Sequence, residues 1–129
     1  MEQKTHNRAN PKYCGRVVRL EDGEAEVELD LTEEMIVDEK GLIHGGFTFS
    51  AADYAAMVAV NHPLVVLAGA EVKFLKPTKV GETIVSKAKV VSQEGKKIKV
   101  EVSSFRKSNQ EKVFEGNFTC IIPSKHVLD

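Results

Sequence analysis

The sequence predicts a single α+β domain in which an antiparallel β-sheet curls around one central α-helix. Three observations predict it. Apolar and polar residues alternate with period two in several separate runs, the mark of half-buried strands. One run, Phe47 to Val60, is apolar or small at nearly every position. The chain has 129 residues, 42% of them hydrophobic, which suits one domain with one core.

In chain order, residues 1–11 are polar, end in Asn10-Pro11, and are expected to be a flexible N-terminal segment preceding a domain over 12–129. CGRVVRL leads to Asp22-Gly23 and then EAEVELDL, where Ala25, Val27, Leu29 and Leu31 alternate with acids. Asp-Gly between two such runs is a hairpin signal. Leu31 to Met35 reads as a turn or one helical turn, and Val37 to Gly41 as a polar loop. The apolar run then starts. Alanine and methionine favour helix, and a helix apolar on all sides must be surrounded by protein. Asn61-His62-Pro63 is expected to end it. Four strand runs follow: LVVLAGAEVKFL, stopped by Lys76-Pro77; ETIVSKAKVVSQ, with Ile84, Ser86, Ala88 and Val90 on one face; KKIKVEVSSFRK; and KVFEGNFTCII. Glu94-Gly95 and Ser108-Asn109-Gln110 are the turns between the last three. One sheet does not easily enclose a helix, so a second copy completing the enclosure is expected, giving an obligate dimer.

Composition excludes several function classes. The formal charge of −1 announces no nucleic-acid partner. The polar start has no apolar signal core, and no apolar stretch is long enough to cross a bilayer, so a cytoplasmic location with no membrane partner is expected. Cys14 and Cys120 are far apart; such a pair could bridge in a secreted protein, but without an export signal two reduced thiols are expected. No metal-ligand spacing, phosphate-binding loop or dinucleotide fingerprint is present, and no cofactor is expected.

The stretch HGGFTFSAADYAAM, His44 to Met57, places a single acid in the apolar run. Amide N–H groups at a helix start have no intrahelical partner and carry partial positive charge, which suits an oxyanion. Gly45 and Gly46 let a substrate approach them without a Cβ in the way. Asp53 follows about two turns later, on the same side of the helix. Burial of its carboxyl raises its pKa, which suits general-base work.

These residues carry a resemblance. His44, Gly45, Gly46 and Asp53, with the strand corner FLKPTKVGE at Phe74 to Glu82, resemble the hotdog-fold acyl-CoA thioesterases, in particular the phenylacetate-pathway and 4-hydroxybenzoyl-CoA thioesterase branch, from about Cys14 onward. The resemblance implies a hotdog fold, a homodimer or a tetramer built as a dimer of dimers, and hydrolysis of an acyl-CoA to free acid and CoA. It implies that Gly45 donates its N–H to the thioester oxygen, that Asp53 is base or nucleophile reaching across from the other subunit, and that His44 fixes the loop or polarises the carbonyl. Gly46, Asp38 and Glu71 become substrate-binding candidates. Asp38 and Glu71 stand where relatives often carry amides, and Asp38 and Asp53 in one site would repel, so that at least one titrates high. That departure fits a member that binds acyl-CoA or acyl-carrier protein without turnover, in a sensing or regulatory role, as the alternative function. A dehydratase of the same fold is the weaker third reading.

Plainer roles stand beside these. Asp53 can be a structural acid hydrogen-bonded across an interface, the glycines a plain turn, His44 a loop cap, and Asp38 a solvated acid. Thr48, Ser50 and Tyr54 read as packing or as substrate contacts. Lys96, Lys97, Arg106 and Lys107 read as solvated charge or as contacts for CoA phosphates. His62 and His126 look incidental.

Overall fold

The computed structural model describes residues 1–129. The elements are a short helix α1 (Pro11–Cys14), strands β1 (Arg16–Glu21) and β2 (Glu24–Asp30), a 3-10 turn at Glu33–Met35, the long helix α2 (Gly45–Val60), and strands β3 (Val66–Phe74), β4 (Thr83–Glu94), β5 (Lys97–Arg106) and β6 (Lys112–Ile121). All strand pairs are antiparallel, in one sheet ordered β1-β2-β4-β5-β6-β3. β3, which follows the helix, therefore crosses to the far edge of the sheet and leaves one side unpaired.

Period-two alternation decides which face of the sheet meets α2. Ala25, Val27 and Leu29 of β2 are buried, as are Ile84, Ser86 and Ala88 of β4, Ile98, Val100 and Val102 of β5, and Phe118 and Cys120 of β6. Ser86 and Ser104 are the polar exceptions, and their hydroxyls satisfy each other at 2.7 Å. The sheet wraps α2, whose Ala51, Ala52 and the run Tyr54 to Ala59 are buried. Alanine at five of these positions lets strands approach the helix closely.

Two local features differ from the expectation, and a third matches it by another route. The helix starts at Gly45, two residues early. It ends where expected, after Val60, but because Asn61 takes a left-handed conformation (φ 53°, ψ 42°), returning its N–H to the Met57 carbonyl, with Pro63 lying beyond the stop. In β6 the alternation through Val113 and Phe118 changes parity. A bulge against Ser104/Phe105 absorbs the extra residue, and both Val113 and Phe114 are buried.

Residues 1–11, read as a flexible segment, lie against the end of α2. Asn61 accepts from the Lys4 amide (2.7 Å) and donates to the Glu2 carbonyl (2.9 Å), Gln3 donates to the Tyr54 hydroxyl (3.0 Å), and Thr5 is buried. Arg106 holds the corner after β3: it pairs with Glu82 (2.8 Å) and Glu111 (3.0 Å) and donates to the Pro77 carbonyl (2.8 Å). No helix is long and apolar enough to cross a membrane.

β3 closes on β6 through a glycine. Gly116 sits opposite Val72, and a Cβ there would lie 2.6 Å from Val72 Cγ1 and 3.0 Å from the Glu71 carbonyl oxygen. Gly116→Ala is expected to destabilise the fold by about 1–3 kcal/mol. Val72→Ala removes only the side-chain clash, so the double variant recovers part of the loss in urea denaturation. Equal stability of Gly116→Ala and wild type would contradict this packing.

Candidate functional site

The site forms where α2 begins. His44 is the N-cap in extended conformation (φ −62°, ψ 128°), and its side chain makes no capping bond. Its amide donates to the Met35 carbonyl (2.9 Å) and its carbonyl accepts from Phe47 (3.1 Å), so the backbone is held while the ring stays exposed. The ring lies edge-on to Phe47 with centroids 6.0 Å apart, and a Cβ on Gly46 would meet its Nε2 at 2.8 Å. The N–H groups of Gly45 and Gly46 have no acceptor within the chain. Neither glycine has positive φ; their role here is to leave room, not to relieve strain.

Beside Gly45 lies a half-open cleft of about 250 Å³ lined by Ile43, Thr48, Phe74, Leu75, Lys76, Pro77, Thr78 and Val113. The Phe74 ring would stand 3.2 Å from a Cβ on Gly45, and it packs edge-on against Phe114 with centroids 5.2 Å apart. Phe49 continues this wall along α2, against Phe118 at 5.5 Å and Phe114 at 6.5 Å.

Asp53 sits one turn beyond Phe49. Its Oδ1 is buried with no hydrogen-bond partner, one of two such side-chain atoms in the chain. Burial alone pushes its carboxyl up to about 6. Cys120 of β6 lies in its field: burial first, and the Asp53 charge second, push that thiol up to about 12, so it stays protonated. Both cysteines are free.

The other sequence candidates are placed differently. Asp38 accepts from the amides of Lys40 (2.9 Å) and Leu42 (3.1 Å), closing its own loop, and it contributes nothing to the raised pKa of Asp53 within one chain. Glu71 is exposed on β3 and faces away from α2, in a shallow groove with Lys73, Glu101, Ser103, Glu115 and Asn117. The structure therefore does not bring Glu71 to the cleft at Gly45. Thr48 lines that cleft, Ser50 donates to Cys14 Sγ (3.4 Å), and Tyr54 is engaged by Gln3. Arg106 is committed to the corner, Lys107 pairs with Glu28 (3.0 Å), and Lys96 and Lys97 are exposed on the hairpin between β4 and β5. His62 and His126 each accept from an amide two residues on, at 3.0 Å. No group of three or more His, Cys, Asp or Glu is placed to hold a metal ion. The sequence reading did not single out Phe49, and it marked Phe74 only as the start of a strand corner, since only the fold brings α2 and the end of β3 onto one wall.

The burial of Asp53 has a consequence for stability. Its folded pKa lies above the unfolded value of 3.8, so the folded state holds a proton that the unfolded state has released. Stability is therefore lost as pH rises from about 4 to about 6, by on the order of 2 kcal/mol. Asp53→Asn removes this dependence. The variant is expected to gain on wild type across that window and to hold its advantage at higher pH. Parallel stability curves from pH 3 to 8 would show that the carboxyl is not desolvated in solution.

Comparison with known proteins places the chain. The thioesterase superfamily model matches residues 40–113, which contain the glycine pair, Asp53 and the corner after β3. A methylthioribose-1-phosphate isomerase of Aquifex aeolicus is 56% identical over 118 residues, covering 92% of this chain but 25% of that protein. The transcription factor FapR of Caldanaerobacter subterraneus is 30% identical over 111 residues, covering 85% of this chain and 54% of the factor. The chain thus spans from a quarter to about half of these curated relatives. A crystal structure from Pyrococcus horikoshii superposes with a TM-score of 0.97 at 53% identity, covering 100% of this chain and 98% of that one. With its antiparallel sheet wrapped around one helix, the chain is a hotdog-fold member of the thioesterase superfamily.

Proposed function

We propose that this chain is an acyl-CoA thioesterase that works as a homodimer. One observation carries the reading: a half-buried carboxylate with a buried, unpartnered oxygen and a pKa near 6 stands on the same helix as two unpartnered glycine amides. The thioester oxygen accepts from the Gly45 N–H, where the helix dipole steadies the negative charge that develops on attack. Asp53 takes a proton from water as the water oxygen bonds to the carbonyl carbon. The tetrahedral intermediate then collapses with loss of the CoA thiolate, which is protonated as it leaves. In the alternative order, the carboxylate attacks the thioester carbonyl directly, the C–S bond breaks with loss of the CoA thiolate, and water cleaves the resulting anhydride to release the acid and restore Asp53.

Helix geometry argues for two copies. Gly45 and Asp53 are eight residues apart, or about 12 Å along α2 at 1.5 Å per residue. Proton transfer needs contact of about 3 Å. A carbonyl held at one Gly45 is therefore served by the Asp53 of a partner whose helix runs the opposite way. The open side of β3 offers the place for that partner: residues 68–71 and 73–74 are exposed, and an unpaired edge of this length favours pairing.

The second reading is an acyl-CoA or acyl-carrier-protein binder without turnover. Asp38 favours it, because its Oδ1 takes both loop amides and its remaining oxygen can only accept, where an amide side chain would offer an N–H to orient water or substrate. So does the likeness to a transcription factor over about half of that factor's length.

Release of free CoA from acetyl, hexanoyl, palmitoyl and phenylacetyl thioesters tests both, with the signal of Cys14 and Cys120 subtracted. Asp53→Asn is expected to lower kcat by about 10²–10⁴-fold while leaving affinity near wild type. In wild type, kcat/KM is expected to rise with pH through about 6 and then level, as the base loses its proton. Turnover that survives in Asp53→Asn sinks the mechanism. Retained acyl-CoA with no turnover, and hydrolysis gained in Asp38→Asn, selects the second reading.

A further inference from the structure

The unpaired edge of β3 carries a pattern that selects one register for the partner. Along its regular stretch, Gly69, Glu71 and Lys73 face away from α2, while Ala70, Val72 and Phe74 face toward it. Neither side chain makes an ion pair within the chain. The cross-strand neighbour of Glu71 on β6 is the neutral Asn117, and that of Lys73 is Glu115, which Lys112 already engages at 3.3 Å.

Two copies related by a two-fold axis pair β3 antiparallel, and residues directly opposite each other share a face. Four centres fall within the regular stretch. Centring on Glu71 sets two glutamates opposite each other, and centring on Lys73 sets two lysines; both are unfavourable. Centring on Ala70 places Glu71 against glycine and runs Lys73 into the bulge between Leu67 and Gly69. Centring on Val72 sets Glu71 against the partner's Lys73 twice over, Val72 against the partner's Val72, and Phe74 against the partner's Ala70.

We propose that the homodimer pairs β3 about Val72, with Glu71 of each copy ion-paired to the partner's Lys73. This rests on the dimeric reading given above. It gives Glu71 a role at the interface rather than at the substrate. It also seats Phe74, the ring against Gly45, on the small Ala70 of the partner, so dimer contact and cleft share one side chain.

Charge exchange tests the register. In sedimentation equilibrium, Glu71→Lys and Lys73→Glu are each expected to weaken wild-type dimerisation by about tenfold or more, since each turns two attractive pairs into repulsive ones. The double variant Glu71→Lys/Lys73→Glu is expected to return close to wild type, which also shows that the single variants lose pairing and not folding. Mixing the two single variants is expected to give a heterodimer tighter than either homodimer, and high salt to shrink all these differences. A dimeric wild type whose single variants dimerise unchanged overturns the register and leaves the dimer standing. A monomeric wild type overturns the dimeric reading itself.

Discussion

The structure depends on enclosing a helix that is apolar nearly all round. Such a helix has no solvent face to offer, so protein must surround it. Alanines at positions 51, 52, 55, 56 and 59 let the sheet close in, and β2, β4 and β5 supply aliphatic side chains at alternate positions. The sheet then has to bend, and its bulges in β1, β3, β4 and at the β5–β6 pair supply the twist that a flat sheet lacks. Hydrogen bonds complete the enclosure at its ends: the N-terminal segment ties to Asn61 and Tyr54, and Arg106 ties to Pro77.

Against that background Asp53 stands out. Nearly every other buried polar side chain is satisfied, yet this carboxyl has a buried oxygen with nothing to bond. An alanine there would suit the helix better. The cost falls on the folded state at neutral pH, where the carboxylate is charged and partly desolvated. A chain that satisfies Ser86 with Ser104 in its core leaves Asp53 open on the side of α2 that faces the β3–β6 end of the sheet. Burial alone, without help from any neighbouring charge, raises its pKa to about 6, which is the property the proposed general base requires.

Most of the fold was legible because its pattern is local. EAEVELDL shows its buried face residue by residue, and Asp22-Gly23 and Glu94-Gly95 mark turns by their backbone needs: Gly23 and Gly95 both have positive φ. What stayed hidden depends on distant partners. Asn61 in the left-handed conformation stops α2, but its side chain also binds Glu2 and Lys4, 59 and 57 residues back in the chain, which no local pattern announces. The bulge at Val113 and Phe114 was masked because both residues are apolar and either parity reads as a strand. In the candidate site, Asp53, Gly45 and Gly46 could be singled out because an acid and two glycines are out of place in an apolar run. Phe49 could not, and Phe74 stood only as the start of a strand corner, since apolar residues in apolar runs look like core until the fold sets them on one wall. Asp38 shows the converse: a residue singled out by its spacing from His44 turns out to close its own loop.

The two ends of the argument meet at Phe74. Its ring lies against Gly45, where the oxyanion would sit, and its backbone belongs to the edge strand where a partner would pair. More than half of this side chain is exposed in the single chain (56%), an unusual state for a phenylalanine that also contacts the core through Phe114. Pairing of the edge would cover it. The same event would carry one copy's Asp53 toward the other copy's glycine amides, closing a gap of about 12 Å that the stiff helix cannot close by itself. On the dimeric reading, edge, ring and carboxylate are three incomplete features of one chain that a single two-fold operation would complete, and an acid that only hydrogen-bonds across that interface would share the same unpartnered oxygen in the single chain.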